Sequence, residues 1–352
     1  MYGTAPANDE AEIVLFGPGY GEAIVVHVGN RCWLVIDSCI NPANKLPASL
    51  HYLEQIGVSP GDVKAVIASH WHDDHVRGIS KLADAFPQAE FFLSAVFNSV
   101  EAKAFLAAFG KVAAPQASGA RELYNVVSTH KKIVFTQHRV IVLETTVGSQ
   151  TVRALALSPS TAAQAKALAH FASHLPKSTS DPITHAPEPS PNLEAIVLHI
   201  DFGEDGVLLG SDLENSSSMG WAEIIADSVC GTRYLASLYK VAHHGSITAE
   251  LADIWQRLLQ PDPIAVLTPF TKGAVRLPTP ADRTRINSRA ASAYITSGAT
   301  RQPQLDAQIE KRMETMCRNL SPVNAGFGAV RLRKKLGNLR WGVELFERAD
   351  IL

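Results

Sequence analysis

Ser69-His70-Trp71-His72-Asp73-Asp74-His75 places four potential metal ligands within six residues, directly after the apolar run 63–68 (VKAVIA). In an extended chain side chains alternate, so His70 and His72 share one side. The backbone must then turn, and Asp74 and His75 can point back from the start of the following helix. Imidazole nitrogen and carboxylate oxygen suit zinc, and also manganese or iron. One short segment of this kind can hold two adjacent ions. A lone histidine is most often structural, but four such groups after a buried strand are a poor match to a chance solvated loop. Asp73 is turned away by the spacing and is left out of the ligand set.

Working outward, 12–16 (EIVLF), 23–28 (AIVVHV) and 32–37 (CWLVID) read as strands, with Gly29-Asn30 as a two-residue hairpin signal. Helical spacing marks 48–56, 76–86 and 98–109, and further strands are expected at 91–94, 132–135, 139–143 and 152–157. The stretch 160–191 differs in composition. An Ala-rich helical piece leads into PKSTSDPITHAPEPSPN, which reads as an insertion with a mobile loop. Pattern returns with strands at 194–200 and 206–209, a helix at 219–229, strands at 238–242 and 264–268, a helix at 303–317 and a hairpin over 328–346 around Gly337-Asn338. Strands come in runs with helices between the runs, which predicts a layered α/β sandwich of mixed sheets. The expected organisation is a hydrolase domain over 1–300 with the insertion at about 160–191, followed by a helix-and-hairpin extension over 301–352 packed on the same domain.

The His70-x-His72-x-Asp74-His75 pattern resembles the metallo-β-lactamase superfamily. That resemblance implies an αββα sandwich of two mixed β-sheets flanked by helices, with one or two metals between the sheets. Other elements recur in the family's order. The strand CWLVID ends in Asp37, which in such proteins orients the metal-binding loop. Leu208-Leu209-Gly210-Ser211-Asp212-Leu213-Glu214 is similar to the segment carrying the bridging carboxylate, with Ser211 at the usual Gly position and Asp212 as the bridge. Lys240-Val241-Ala242-His243-His244-Gly245-Ser246 resembles the "LKVxHHGS" element of one branch, the hydrolase domain of the DNA-uptake protein ComEC and its free-standing relatives. One of its two histidines is expected to bind the second metal; His244 is favoured and His243 stays a candidate. Lys240 and Ser246 are candidate substrate contacts. The turn Gly17–Ile24 is similar to the branch's "GQGDAI" start, with Glu22 in the Asp place, and the segment from Asn192 to Leu198 to its "NxxSxVL", with Ala195 for Ser. The resemblance covers about residues 12–270.

The pattern also departs. Many members carry a further His for the first metal, and the matching segment Leu155–Pro159 has none. His185 and His199 read as structural. The branch's His-Pro-Ser segment is matched only by Leu277-Pro278-Thr279.

The implied reaction is hydrolysis by a metal-bound hydroxide held between two divalent cations, expected to be Zn²⁺ with Mn²⁺ or Fe²⁺ as alternatives, and with Asp74, Asp212 and His244 as the catalytic set. The metals do not choose the substrate. The branch resemblance favours a phosphodiesterase or nuclease acting on single-stranded nucleic acid or a nucleotide. From Arg301 to Arg340 there are nine Lys or Arg against three acids, and Arg331, Arg333 and Lys334 are candidate phosphate contacts. Trp341 could stack on a base, though a core role is the stronger reading. Two alternatives stand beside this: a hydrolase of a small ester, thioester or phosphocholine-type compound, with 160–191 as a lid, and a non-enzymatic subunit with a protein partner in a multi-gene system.

Composition sets the outer bounds. The chain has 352 residues, 46% hydrophobic and 19% charged, with a formal charge of −2. This excludes a disordered or fibrous chain and a protein whose whole surface grips nucleic acid. Cys32, Cys39, Cys230 and Cys317 form no CxxC pair, so free thiols are expected. The acidic start (MYGTAPANDEAE) is not a signal peptide, and no run approaches the roughly 18 apolar residues of a membrane span. A cytoplasmic protein without membrane contact is expected.

Overall fold

The computed structural model describes residues 2–18, 21–110, 119–176, 192–216, 219–227, 232–272, 275–298, 326–338 and 340–352. The helix expected at 303–317, the Pro-rich segment with His185, and Cys230 and Cys317 lie outside these residues.

Two eight-stranded mixed sheets face each other. Along the first run β19 (Gly342–Glu347), β18 (Phe327–Lys335), β1 (Glu10–Pro18), β2 (Ala23–His27), β3 (Trp33–Ile36), β4 (Val63–Ile67), β5 (Glu90–Ser94) and β6 (Ile133–Thr136). Along the second run β20 (Asp350–Ile351), β17 (Ser292–Ile295), β14 (Leu259–Leu267), β13 (Ala236–Lys240), β10 (Gly206–Leu209), β9 (Leu198–Asp201), β8 (Gln150–Ala156) and β7 (Ile141–Val147).

The period of two in β1 explains why the sheets stack. Ile13 and Leu15 point into the layer between the sheets, where they meet Ile24, Leu34, Ile67, Leu198, Val207 and Leu238. Val14 and Phe16 point outward onto Tyr52, Leu82, Phe105, Leu123 and Phe171. Those residues come from helices α1 (Ala48–Gln55), α3 (Ile79–Ala85), α4 (Val100–Gly110), α5 (Gly119–Thr129) and α6 (Thr161–Ser173). On the far face of the second sheet, Leu208, Tyr239 and Ala265 meet Trp221, Ile254 and Ile286. These belong to α7 (Trp221–Ala226), α8 (Ala252–Arg257) and α9 (Pro280–Asn287). Helix, sheet, sheet and helix layers therefore stack as expected, and each large apolar side chain taken from water contributes about 1.5–3 kcal/mol.

Two expectations change in detail. The helical half of the 160–191 stretch is bound into the core: Phe171 is fully buried, 4.8 Å from Phe105 and 6.2 Å from Trp71 between ring centroids. The C-terminal hairpin is also more than an extension. β18 pairs with β1 from Glu10↔Lys335 to Pro18↔Phe327, and β20 pairs with β17, so the last residues join both sheets. Among the described residues no helix is long and apolar enough to cross a membrane.

The topology brings the site together. β3 and β4 are parallel neighbours in one sheet, and β10, β13 and β14 are parallel neighbours in the other. The loops leaving their carboxyl ends carry Asp37, the histidine segment, Asp212, His243-His244 and Thr268 respectively.

Candidate metal centre

β4 delivers the chain to Ser69, and a single-turn helix, α2 (Asp73–Val76), starts after His72. Asp73 faces away and its Oδ1 accepts the Gly119 amide at 2.5 Å, docking the start of α5 beneath the loop. Gly119 is required there, because a Cβ would sit 1.8 Å from the Trp71 carbonyl oxygen.

Asp37 lies at the end of β3 in a left-handed conformation (φ 59°). Its buried carboxylate accepts the Ser69 amide at 2.7 Å, the Ser69 hydroxyl at 2.7 Å and His75 Nδ1–H at 2.8 Å. This leaves His75 Nε2 as the nitrogen facing the interior, 3.3 Å from Asp212 Oδ2 and 3.8 Å from Asp74 Oδ2. A carboxylate holding the far nitrogen of a ligand histidine fixes both tautomer and ring orientation.

From the opposite sheet, β10 ends in Gly210-Ser211-Asp212. Ser211 adopts φ 46°, a conformation that glycine takes most easily. The serine supplies something a glycine lacks: its hydroxyl donates to Ser69 Oγ at 2.8 Å, joining the bridging-carboxylate loop to the histidine loop. Ser69 Oγ also lies 3.1 Å from His70 Nδ1.

The HHGS turn separates its two histidines. His243 and His244 both have positive φ (48° and 53°), and Gly245 follows at 82°. His244 is buried, with Nε2 at 3.4 Å from both Asp74 Oδ2 and Asp212 Oδ2. His243 turns instead toward Glu214 Oε1 at 3.4 Å and Thr248 Oγ1 at 3.0 Å. The structure thus brings His244 to the centre and turns His243 away from it.

Asp74, His75, Asp212 and His244 each offer a ligand atom, and these atoms all lie within 4.8 Å of one another. His70 adjoins them, its ring centroid 4.1 Å from that of His75 and 4.7 Å from that of His72. Nε2 of His70, His75 and His244, and Oδ1 of Asp212, are buried without a hydrogen-bond partner. Buried polar atoms normally have one, so converging bare nitrogens and carboxylate oxygens fit a divalent cation. Glu22, Asp37 and His75 also cluster, and there Glu22 is paired with Lys240 and Thr268, and Asp37 with Ser69 and His75.

The electrostatics agree. Burial alone would lower the His75 pKa, but Asp212, Asp37 and Asp74 outweigh it and raise it well above 6.5. Burial opposes and Asp212 favours the charged form of His244, which ends at about 9. Asp212 is driven the other way: burial would raise it, and His244 and His75 hold it well below the usual carboxylate range. His70 is pushed well down, first by burial and then by His75. Protons therefore stand in for cation charge at His75 and His244.

The weaker substrate candidates are placed elsewhere. Lys240 is buried under the centre, paired with Glu22 and donating to the Ser211 carbonyl at 3.0 Å. Ser246 caps the next turn through the Thr248 amide. Arg331 is held by Glu344 at 2.7 Å, Arg333 by Glu12, and Lys334 is buried against Asp205. Trp341 donates to Ser237 Oγ at 2.9 Å and lies under Lys334. Arg333 and Lys334 neutralise buried acids of the sandwich and Arg331 pairs with the exposed Glu344, all three away from the centre, whereas Lys240 reaches Asp212 Oδ1 at 3.6 Å from beneath. His199 is buried, with Nδ1 3.2 Å from Asp201 Oδ1. Sequence reasoning missed Ser69, Thr268 and the side chain of Phe270, whose ring stacks on His244 at 5.0 Å. Glu22 carried a signal, its place in the glycine-rich turn, but was not placed among the site residues.

Residues 16–94 match the family model described as Metallo-beta-lactamase superfamily, a span that contains the whole histidine segment. The superfamily reading drawn from that segment is therefore supported. No curated protein sequence matches the chain. Solved structures similar to it include the metallo-beta-lactamase fold protein YhfI from Bacillus subtilis, at 15% identity over 83% of this chain and 97% of that one, with a TM-score of 0.41. Another is MEM-A1, a subclass B3 metallo-beta-lactamase isolated from a soil metagenome library, at 14% identity over 69% and 81%, with a TM-score of 0.35.

Proposed function

We propose, for a chain that carries the metallo-β-lactamase superfamily signature over residues 16–94, that it is a metal-dependent hydrolase of phosphodiesters, acting on single-stranded nucleic acid or a nucleotide. The observation that carries the metal reading is the convergence of Asp74, His75, Asp212 and His244 with unpartnered buried ligand atoms. These four would hold one divalent cation, and His70 and His72 with Asp212 a second. Bound there, such cations supply Lewis-acid polarisation of the bond under attack and bring water to nucleophilic strength near neutral pH.

The chain's own residues do the rest. Asp212, reached by Lys240 Nζ at 3.6 Å, is the carboxylate common to both ligand groups. Asp37 and Thr268 keep His75 and His244 turned with Nε2 inward. Asp74, the most exposed of the four at 14% of its side chain, faces the rim and is the group placed to handle a proton of incoming water.

The phosphodiester assignment rests on the likeness of the Lys240–Ser246 segment to the ComEC-like branch. The basic C-terminal run lends it no support, since Arg331, Arg333 and Lys334 are engaged internally. The test is purified protein with Zn²⁺ or Mn²⁺ on single-stranded DNA, RNA, cyclic nucleotides and a chromogenic phosphodiester, beside ester and thioester substrates. Cleavage of a phosphodiester, abolished by His72→Ala or Asp212→Ala, is expected. Turnover of the esters alone would overturn the substrate class. A native protein free of metal and inactive on every substrate would overturn the hydrolase reading in favour of a non-enzymatic subunit.

A further inference from the structure

His75 has its carboxylate partner in Asp37, but among the described residues no carboxylate makes a hydrogen bond to the outer nitrogen of His244. The Nδ1 of His244 lies 3.1 Å from Thr268 Oγ1 and 3.2 Å from the Thr268 carbonyl oxygen. Thr268 Oγ1 in turn lies 2.5 Å from Glu22 Oε2, and the other Glu22 oxygen is paired with the ammonium of Lys240. All four residues are buried. A carboxylate in an ion pair can only accept, so the single hydroxyl proton of Thr268 is given to Glu22. The hydroxyl can then only accept from His244, and the carbonyl can do nothing else. Both partners demand a proton on Nδ1, so the neutral or metal-bound ring turns its Nε2 lone pair toward Asp74 and Asp212.

Glu22 is fixed for this task by its own backbone. Its amide donates to the Asp74 carbonyl oxygen at 2.9 Å. The preceding Gly21 sits so close that a Cβ would lie 1.8 Å from that same oxygen, at a φ of 108°. One residue thus ties down Asp74 through its main chain and His244 through its side chain. Lys240, which holds Glu22, also grips the Ser211 carbonyl next to Asp212.

We propose that Glu22, acting through Thr268, is a positioning residue that sets the tautomer of His244 and holds His244 and Asp74 in register as ligands of one ion. The inference rests on the metal-centre reading above. Thr268→Val keeps the packing and removes the relay. Because the Thr268 carbonyl remains as an acceptor, the expected loss is about tenfold in Zn²⁺ affinity at one of two sites, the lower end of what such outer partners contribute. Chelator competition and the visible spectrum of the Co²⁺-loaded protein read this directly. Thr268→Ser, which restores the hydroxyl, is expected to recover wild-type affinity and spectrum. Valine with unchanged affinity and spectrum would overturn the proposal.

Should the valine variant not fold, the wild-type protein decides, through long-range ¹H–¹⁵N NMR of its histidines. In the Zn²⁺-loaded protein the single proton of His244 is expected on Nδ1; a single proton on Nε2 overturns the inference. If the wild type took up no Zn²⁺, the metal reading itself would fall, and the same NMR measurement at alkaline pH would still decide the tautomer.

Discussion

Replacing Asp37 by Asn changes one oxygen to an amide nitrogen at nearly constant shape, and the consequences can be followed atom by atom. Asp37 Oδ1 accepts the Ser69 amide, while Oδ2 accepts the Ser69 hydroxyl and His75 Nδ1–H. A backbone amide cannot become an acceptor, so the Asn oxygen must take the Oδ1 place and the NH₂ must face Ser69 Oγ and His75. The serine hydroxyl can rotate to accept. His75 can accept only by moving its proton to Nε2, the nitrogen that points at Asp212 from 3.3 Å. The variant therefore exchanges the metal-facing lone pair for an N–H. The opposite amide orientation places two donors together in a buried site, at a cost of about 1–3 kcal/mol. Either way the expected loss of Zn²⁺ affinity is about 10- to 100-fold, or roughly 1.4–2.7 kcal/mol. Chelator competition against a chromogenic indicator measures it, with thermal melting of the metal-free protein as the control for folding. Asp37→Asn that folds and binds Zn²⁺ as the wild type does would refute the assignment of Asp37 as the group that orients His75.

Three further outcomes are expected. Ser211→Ala, which keeps the left-handed strain and loses the hydroxyl bridge to Ser69, should cost about 1–2 kcal/mol in denaturant titrations, whereas Ser211→Gly relieves the strain and should be near neutral; an Ala variant as stable as the wild type would contradict the bridge, and equal losses would contradict the strain. In the metal-free protein the raised pKa of His244, about 9 against an ordinary 6.5, contributes stability that is complete below pH 6.5 and is lost as the pH rises toward 9. Melting temperature should fall across that window while Zn²⁺ affinity rises, because the ion displaces the same proton; a flat profile for both would contradict the ion-paired cluster. Arg333→Ala strands buried Glu12 and should destabilise by about 3 kcal/mol or more without altering the salt dependence of any nucleic-acid binding; a reduced salt slope in a folded variant would return Arg333 to the substrate surface.

The fold was legible because its signals are local. The apolar run in 12–16, a hairpin signal at Gly29-Asn30 and an apolar run into the histidine segment are each decided by neighbours in sequence, and all became the expected strands. The candidate ligands His70, His72, Asp74, His75 and Asp212 stand out in the sequence for the same reason. What was not legible depends on pairings across the two sheets. The basic run Arg331–Lys335 reads as a surface in one dimension, but its strand lies beside β1, where Glu12 needs a counter-charge, and Asp205 of the facing sheet takes Lys334. The choice between His243 and His244 turned on two successive left-handed residues, which no local pattern announces. Thr268 stands alone at the end of β14 and acquires a role only because Glu22, far away in sequence, arrives beside it.

The most direct test is an anomalous-difference map, recorded at the zinc edge, from crystals of protein purified with its native metal content. The account predicts a peak enclosed by Asp74, His75, Asp212 and His244, with a second on the side of Asp212 that faces His70 and His72. No peak among these residues, or a single ion among Glu22, Asp37 and His75, would contradict it.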